Sequence, residues 1–140
     1  MKKIVFVCLG NICRSPMAEF VMKDLINQYE IESRATSNWE HGNPIHQGTQ
    51  KIFRSHGVPY DASKTSLQIS DQDFHTFDLI LGMDENNVAD LKRMAPPGTE
   101  HKIHLFAGES VPDPWYTGDF EETYRRVLAG CQEWLDRLED

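Results

Sequence analysis

The chain has 140 residues, of which 39% are hydrophobic and 26% are charged, and its formal net charge is -8. This length and composition predict one soluble globular domain with its own core, spanning residues 1–140. The acidic balance disfavours nucleic acids and anionic membrane surfaces as partners, because both attract basic faces.

Strands and helices are predicted to alternate along the chain. An unbroken apolar run is typical of a buried parallel strand, and apolar residues at spacings of three and four indicate helices. The predicted elements are a strand over 3–8, a helix over 15–29, a strand over 31–36, a loop over 38–48, a helix over 46–56, a short helix over 71–75, a strand over 77–83, a helix from Asp84 or Asn86 to Met94, a strand over 102–105 and an amphipathic helix from Phe120 to Leu138. The alternation predicts a parallel sheet flanked by helices, with ligands bound beyond the carboxyl ends of the strands.

The three cysteines, Cys8, Cys13 and Cys131, are too few and odd in number for a disulfide framework. The apolar run near the N-terminus is too short for a signal-peptide core, and no apolar stretch approaches the length of a membrane span. These features favour a reducing cytoplasm, with export without a signal peptide left open. We expect a monomer, with weak self-association left open.

The segment from Cys8 to Pro16 joins the first strand to the first helix. The helix end offers unpaired N–H groups and a positive dipole, which bind anions and favour the thiolate form of a nearby cysteine. Arg14 adds a planar fork for two phosphate oxygens, and Ser15 can hydrogen-bond the sulfur. The spacing therefore predicts a phosphate-binding loop that attacks phosphorus with sulfur. A nucleotide-binding loop is disfavoured because no Gly-Lys-Ser/Thr follows.

A cysteine nucleophile also needs an acid for the departing oxygen. Asp113 lies between Pro112 and Pro114, which restrict the conformations of the loop. Alone, this segment is typical of an ordinary turn, but beside a reactive cysteine it is the best acid in the chain. In the predicted mechanism Cys8 forms a phosphocysteine, and Asp113 protonates the leaving oxygen and then activates water. No metal or cofactor is expected, and the six histidines are assigned no metal-binding or catalytic role.

The motif Cys8-Leu-Gly-Asn-Ile-Cys-Arg-Ser-Pro-Met-Ala-Glu19, with the later Asp113-Pro-Trp-Tyr, closely resembles the low-molecular-weight protein tyrosine phosphatases. The resemblance spans nearly the whole chain. It implies a single three-layer α/β domain with a four-stranded parallel sheet and a phosphate-binding loop after the first strand. It also implies metal-independent hydrolysis of phosphotyrosine monoesters in proteins, with phosphate and other oxyanions as inhibitors.

Site residues are transferred from the family by position. Cys8 looks like the nucleophile, Arg14 like the phosphate clamp and Asp113 like the general acid and base. The expected substrate-binding residues are Leu9, Gly10, Asn11, Ile12, Cys13, Ser15, Trp39, Trp115 and Tyr116.

The residues expected to support the loop also follow from the resemblance. Asn11 looks like the residue that holds the shape of the loop, Ser15 like the hydroxyl that steadies the thiolate, and Asn87 like a support for Asn11. Many family members have a histidine behind the loop, where this chain has Lys64. Cys13 resembles the second loop cysteine of the family, and the hypothesis is a reversible Cys8–Cys13 disulfide. A purely structural, buried Cys13 is the alternative.

Ile12 bears on the substrate. The related phosphoarginine phosphatases have what looks like a threonine there, whereas an isoleucine favours the aryl ring of phosphotyrosine. The aromatic side chains of Trp39, Trp115 and Tyr116 are expected to wall a slot deep enough for that ring. Tyr116, which lies close to the acid, is also a candidate phosphorylation site. A protein-arginine phosphatase and a non-catalytic phosphopeptide-binding module are kept as alternatives. An arsenate reductase is disfavoured because no cysteine lies between Cys13 and Cys131.

Overall fold

The computed structural model describes residues 2–139, in which successive strands are separated by one or two helices. In chain order these are β1 (Lys3–Cys8), α1 (Arg14–Leu25), β2 (Glu30–Ala35), α2 (Gln47–His56), α3 (Asp71–Thr76), β3 (Leu79–Gly82), α4 (Glu85–Met94), β4 (Ile103–Leu105), α5 (Pro114–Thr117) and α6 (Phe120–Glu139), with a 3-10 turn at Glu100–Lys102. No helix within residues 2–139 is long and apolar enough to cross a membrane.

The four strands form one parallel sheet in the order β2-β1-β3-β4. The central strand β1 pairs with β2 as far as Cys8 and Ala35, and with β3 as far as Val7 and Gly82. Because the strands are parallel, their carboxyl ends share one edge, where the loops after β1, β3 and β4 meet. The predicted α/β fold and its four-stranded parallel sheet are confirmed.

Alternate residues of β1 face opposite sides of the sheet, as the pleat requires. Ile4 and Phe6 belong to a buried cluster with residues of α1, α2 and α6, whereas Val5 and Val7 belong to a second cluster with residues of α3 and α4. Both faces of the sheet are therefore covered, which explains the unbroken apolar sequence of β1 and gives the three layers that the resemblance implied.

The structure departs from the predictions in two main ways, besides shifts of one or two residues at other element ends. Helix α1 ends at Leu25 and not at residue 29, because Ile26 is extended and the chain turns there to begin β2 at Glu30. Tyr29 packs against the core from this turn, so its apolar character did not indicate helix. The short helix α5 was not predicted, because one turn is too short to show a helical period.

Candidate active site

The phosphate loop, residues 8–15, curves around a pocket at the carboxyl edge of the sheet. Five of its carbonyl oxygens accept hydrogen bonds from groups outside the loop. The pairs are Thr36 N to Cys8 O (2.9 Å), Ser37 Oγ to Leu9 O (2.8 Å), Ser66 Oγ to Gly10 O (2.8 Å), His46 N to Ile12 O (2.8 Å) and Thr49 Oγ1 to Cys13 O (3.2 Å). In a trans peptide the N–H points away from the C=O, so these bonds turn the N–H groups of the loop towards the pocket.

Cys8 lies at the end of β1 with only 3% of its surface exposed. Its Sγ accepts a hydrogen bond from the Asn11 N–H (3.2 Å) and lies 3.0 Å from Ser15 Oγ. Ser15 Oγ itself accepts a bond from Asn11 Nδ2 (2.8 Å), and its hydroxyl hydrogen has two acceptors in reach, the Cys8 sulfur (3.0 Å) and the more distant Arg34 carbonyl (3.4 Å). The Asn11 N–H and the Ser15 hydroxyl can therefore both donate to a thiolate at Cys8, and the thiolate is the nucleophilic form of cysteine.

Asn11 holds the middle of the loop in an uncommon conformation. Its φ is +56°, and within residues 2–139 it is the only residue other than glycine with a positive φ. The buried side chain donates to Ser15 Oγ (2.8 Å) and Ser33 Oγ (3.0 Å), and its Oδ1 accepts from the Leu67 N–H (3.2 Å). These three bonds tie the loop to β2 and to the segment before α3, and they hold it in the left-handed conformation.

The hydrogen-bond network continues behind the loop to a buried carboxylate. Ser33 Oγ donates to Glu19 Oε1 (2.6 Å), and Glu19 also pairs with Lys23 (2.6 Å) and with Lys64 (3.7 Å). Lys64 donates in addition to the Ser33 carbonyl (3.3 Å). Burial lowers the pKa of Lys64, although the charge of Glu19 acts in the opposite direction. At the position where the family resemblance implied a histidine, Lys64 is thus connected to Asn11 through Ser33.

Arg14 begins α1 and points into the same pocket with 3% of its surface exposed. Its Nη1 donates to Asp84 Oδ2 (2.7 Å) and to the Val111 carbonyl (3.0 Å), and its Nη2 donates to Asp113 Oδ2 (3.4 Å). These bonds use three of the five guanidinium N–H groups, which leaves two for an oxyanion. Burial by itself would lower the pKa of Arg14. The charge of Cys8, the hydrogen bond to Asp84 and the charges of Asp113 and Asp84 act in the opposite direction, and the net effect is a raised pKa.

Asp84 was predicted only as a helix cap, yet it is also the closest carboxylate partner of Arg14. It lies just beyond β3, and its backbone and side chain exchange hydrogen bonds with Asn87 in a capping box (3.1 and 2.7 Å). The expected contact from Asn87 to Asn11 is therefore replaced by one to Asp84. Asn87 supports Arg14 through Asp84, because the first turn of α4 directs its amide back to its own N-cap.

Asp113 lies in the loop between β4 and α5. Its Oδ1 accepts from the Trp115 N–H (3.0 Å), so it caps α5, and its Oδ2 faces Arg14. Pro114 occupies the first position of α5, where its fixed φ suits a helix start. The carboxyl group is thereby held at the pocket that contains Cys8 and Arg14.

The pocket has a volume of about 170 Å³. It is lined by Cys8, Leu9, Gly10, Asn11, Ile12, Cys13, Arg14, Trp39, Glu40, Asp113, Trp115 and Tyr116. Ser15, expected to bind substrate, lies behind Cys8 and does not line the pocket, whereas Glu40 lines it and was not predicted. Among residues 2–139, no group of three or more His, Cys, Asp or Glu side chains is arranged to hold a metal ion.

Three pocket residues form an aromatic rim, defined as Trp39, Trp115 and Tyr116. Their exposed fractions are 75%, 57% and 79%, so most of each ring faces solvent. The rim therefore differs from the buried phosphate loop below it, and it offers apolar surface to a ligand that enters the pocket.

The other two cysteines differ from Cys8 in their surroundings. Burial raises the pKa of Cys13, and the nearby charges of Cys8 and Asp113 raise it further. Burial alone raises the pKa of Cys131, whose Sγ faces the Ala18 carbonyl in the core (3.8 Å). Both thiols therefore stay protonated near neutral pH, which leaves Cys8 as the candidate nucleophile among the three cysteines.

Comparison with known proteins agrees with this geometry. The family model described as "Low molecular weight phosphotyrosine protein phosphatase" matches residues 3–140. The low molecular weight protein-tyrosine-phosphatase YfkJ of Bacillus subtilis is 38% identical, with 99% of this chain and 97% of the relative covered. The corresponding phosphatase PtpA of Staphylococcus aureus is 40% identical, with 99% and 94% covered.

A solved structure is also similar throughout. The crystal structure of SP-PTP, a low molecular weight protein tyrosine phosphatase from Streptococcus pyogenes, is 61% identical and superposes with a TM-score of 0.96. The similarity covers 99% of this chain and 93% of that one. With a family match and relatives that span nearly its whole length, the chain belongs to the low molecular weight protein tyrosine phosphatases.

Proposed function

We propose that this protein hydrolyses phosphotyrosine monoesters in proteins, with Cys8 as nucleophile, Arg14 as phosphate clamp and Asp113 as general acid and base. One observation supports the proposal above all others. A buried cysteine sulfur, held by two hydrogen-bond donors, shares one pocket with a guanidinium and a carboxyl group. These three groups supply a nucleophile, an anion clamp and a proton donor, as a phosphomonoesterase needs.

In the first step the Cys8 thiolate attacks phosphorus and forms the S–P bond while the P–O bond to tyrosine breaks. The inward N–H groups of the phosphate loop and the free donors of Arg14 hold the phosphate oxygens as charge develops on them. The protonated Asp113 carboxyl gives its proton to the leaving tyrosine oxygen, so tyrosine departs neutral.

In the second step water attacks the phosphocysteine. The Asp113 carboxylate takes a proton from this water, the S–P bond breaks, and the Cys8 thiolate is regenerated with release of inorganic phosphate. The hydrogen bonds from Asn11 N–H and Ser15 Oγ stabilise the departing thiolate, as they do before the attack. The two steps together return the enzyme to its starting state.

The aromatic rim favours a substrate that carries an aryl group. The aromatic rim stands above the phosphate loop, and Ile12 adds an apolar side chain to the lining of the pocket. A phosphotyrosine ring would contact these groups, whereas phosphoserine has no ring to place against them. Tyrosine-phosphorylated proteins are thus the proposed substrates, and phosphate and other oxyanions the proposed inhibitors of a monomeric enzyme.

The decisive experiment compares three substrates side by side. Phosphotyrosine, phosphoserine and phosphoarginine peptides are incubated with the wild type and with Cys8→Ser, each with and without EDTA. We expect release of phosphate from phosphotyrosine, insensitive to EDTA and abolished in Cys8→Ser. Preference for phosphoarginine would overturn the argument from Ile12, and no turnover by the wild type would favour the phosphopeptide-binding module.

Cys13 is proposed as a redox partner of Cys8. Both cysteines belong to the phosphate loop, both are buried and both are free thiols in this structure. A reversible disulfide would protect Cys8 from irreversible oxidation. If so, Cys13→Ala should lose its recovery by thiol after peroxide treatment, whereas unchanged recovery would contradict the proposal.

A further inference from the structure

Three aromatic rings beside the pocket form a group that has no part in the chemical steps proposed above. The ring of His46 stacks on Phe120 with centroids 5.1 Å apart and meets Trp115 edge to face at 5.7 Å. We call His46, Trp115 and Phe120 the aromatic bracket. It joins the start of α2, the start of α6 and the loop that carries Asp113.

His46 is also bound to the phosphate loop and to α2. Its backbone N–H donates to the Ile12 carbonyl (2.8 Å), and its Nδ1 accepts from the Gly48 N–H (2.9 Å) as the N-cap of α2. Backbone and cap together fix the ring in one position relative to the phosphate loop.

Phe120 closes the bracket from the other side. Its ring lies so near the backbone of α2 that a Cβ on Gly48 would come within 2.4 Å of it. No side chain fits between helix and ring, so the ring packs directly on the first turn of α2. The stack of His46 on Phe120 is therefore anchored at both ends.

Of the three rings of the aromatic bracket, that of Trp115 is the most exposed. Its indole is 57% exposed, and the ring of His46 is its aromatic partner among residues 2–139. The backbone N–H of Trp115, not its indole, donates to Asp113 Oδ1 (3.0 Å), so a shift of the Trp115 main chain would move a donor that orients the Asp113 carboxyl. The contact between the rings of His46 and Trp115 is thus linked to Asp113, the proposed acid, through the backbone of Trp115.

We propose that His46 is a positioning residue whose ring holds Trp115, and through it Asp113, in place above the phosphate loop. The inference rests on the proposed role of Asp113. His46 contacts both parts of the site at once, the loop through its backbone and the acid segment through its ring. Loss of the ring should therefore impair proton donation and leave phosphate binding intact.

Two matched variants separate the ring from the helix cap. In His46→Asn the side-chain oxygen can still cap α2, but the ring is gone. In His46→Phe the ring remains, but the cap acceptor is gone. The backbone bond from residue 46 to Ile12 is available in both variants, so neither substitution removes that support.

The readout is kcat/KM for two aryl phosphates that differ in their need for an acid. Phenyl phosphate has a poor leaving group that must be protonated, whereas 2,4-dinitrophenyl phosphate has a good one that leaves unaided. We expect His46→Asn to lower kcat/KM for phenyl phosphate about threefold to tenfold and to leave the activated ester within about twofold. His46→Phe should keep the wild-type ratio between the substrates while its thermal midpoint falls.

The Asp113→Asn variant distinguishes failure of this inference from failure of the proposed function. If Asp113 is the acid, Asp113→Asn loses activity on phenyl phosphate selectively, and adding His46→Asn to it changes little more. Equal losses on both esters in His46→Asn, or no loss, would overturn the positioning role while Asp113→Asn still behaved as an acid variant. If Asp113→Asn showed no selective loss, the proposed acid itself would be wrong.

Discussion

The phosphate loop and the aromatic rim belong to the same pocket but are held in place in different ways. Five carbonyl oxygens of the loop are bound from behind, and Cys8 and Arg14 are each 3% exposed. Trp39 and Tyr116 in the rim are at least three-quarters exposed. The part that binds the invariant phosphate group is therefore preorganised by buried hydrogen bonds, whereas the part that meets the variable substrate has few constraints.

This difference predicts different consequences of substitution. Changes in the loop should lower kcat or the free energy of unfolding, because the loop is part of the packed core. Changes in the rim should alter KM and leave the fold unaffected. The following substitutions test the comparison.

Arg14→Lys should have the largest effect. Lysine presents a point charge with three donors, so it cannot contact Asp84, the Val111 carbonyl and two phosphate oxygens together. We expect kcat for a phosphotyrosine peptide to fall about 10²–10³-fold. Steady-state kinetics measure the loss, and a thermal melt checks that the variant folds. A kcat within about tenfold of the wild type would contradict the clamp role.

Asn11→Gly and Asn11→Ala should both destabilise the protein, and to different extents. Both remove the side-chain bonds to Ser15, Ser33 and Leu67, at a cost of about 1–3 kcal/mol for buried groups left unpaired. Alanine adds strain at φ +56° of about 1–2 kcal/mol, whereas glycine adds an entropic cost of about 0.5–1 kcal/mol. Urea unfolding should therefore rank alanine below glycine. The reverse order would show that the backbone of the loop relaxes.

Trp39→Ala should act on substrate binding alone. Its ring is 75% exposed and lines the mouth of the pocket, so we expect KM for a phosphotyrosine peptide to rise about threefold to tenfold with kcat unchanged. Inhibition by inorganic phosphate, which needs only the loop, should stay the same and serves as the internal control. A weaker inhibition by phosphate would mean that rim and loop are not independent.

Lys64→Met should produce the smallest effect, visible in the pH dependence of stability. Burial lowers the pKa of Lys64 below its ordinary value of 10.5. Between the two values the unfolded chain binds more protons than the folded one, so Lys64 makes stability rise with pH in that window. We expect the free energy of unfolding of Lys64→Met to lack this rise as the pH approaches 10.5. Lys51→Met, on the exposed face of α2, is the matched control and should follow the wild type.

Most of the fold followed from hydrophobic pattern. The strand β1 was predicted because it is an unbroken apolar run, as a strand buried on both faces requires, and α6 was predicted because its apolar residues recur on one face. The end of α1 was wrong because nothing in the sequence after Leu25 breaks a helix, and the turn there is imposed by the pairing of Glu30 with Lys3. The single turn of α5 was missed because four residues are too few to show the repeating apolar pattern of a helix.

In the candidate active site, too, some features were predictable from the sequence and others were not. Cys8, Arg14 and the backbone between them occupy one continuous segment, so their spacing alone predicted a loop around an anion. Asp113 was predicted from the chemistry that such a loop requires and from the resemblance to the family. These parts are determined locally, because a strand, a short loop and a helix start leave the chain few ways to arrange its donors.

Only the tertiary structure decided which distant residues hold that segment. Arg14 contacts Asp84, Asn11 contacts both Ser33 and Leu67, and the ring of Trp115 contacts that of His46. All of these contacts form because the sheet brings the loops to one edge. These contacts depend on the order and register of four parallel strands, which cannot be deduced from the spacing of residues along the chain. The sequence by itself thus determined the reacting groups, and the packing of the sheet determined what keeps them in position.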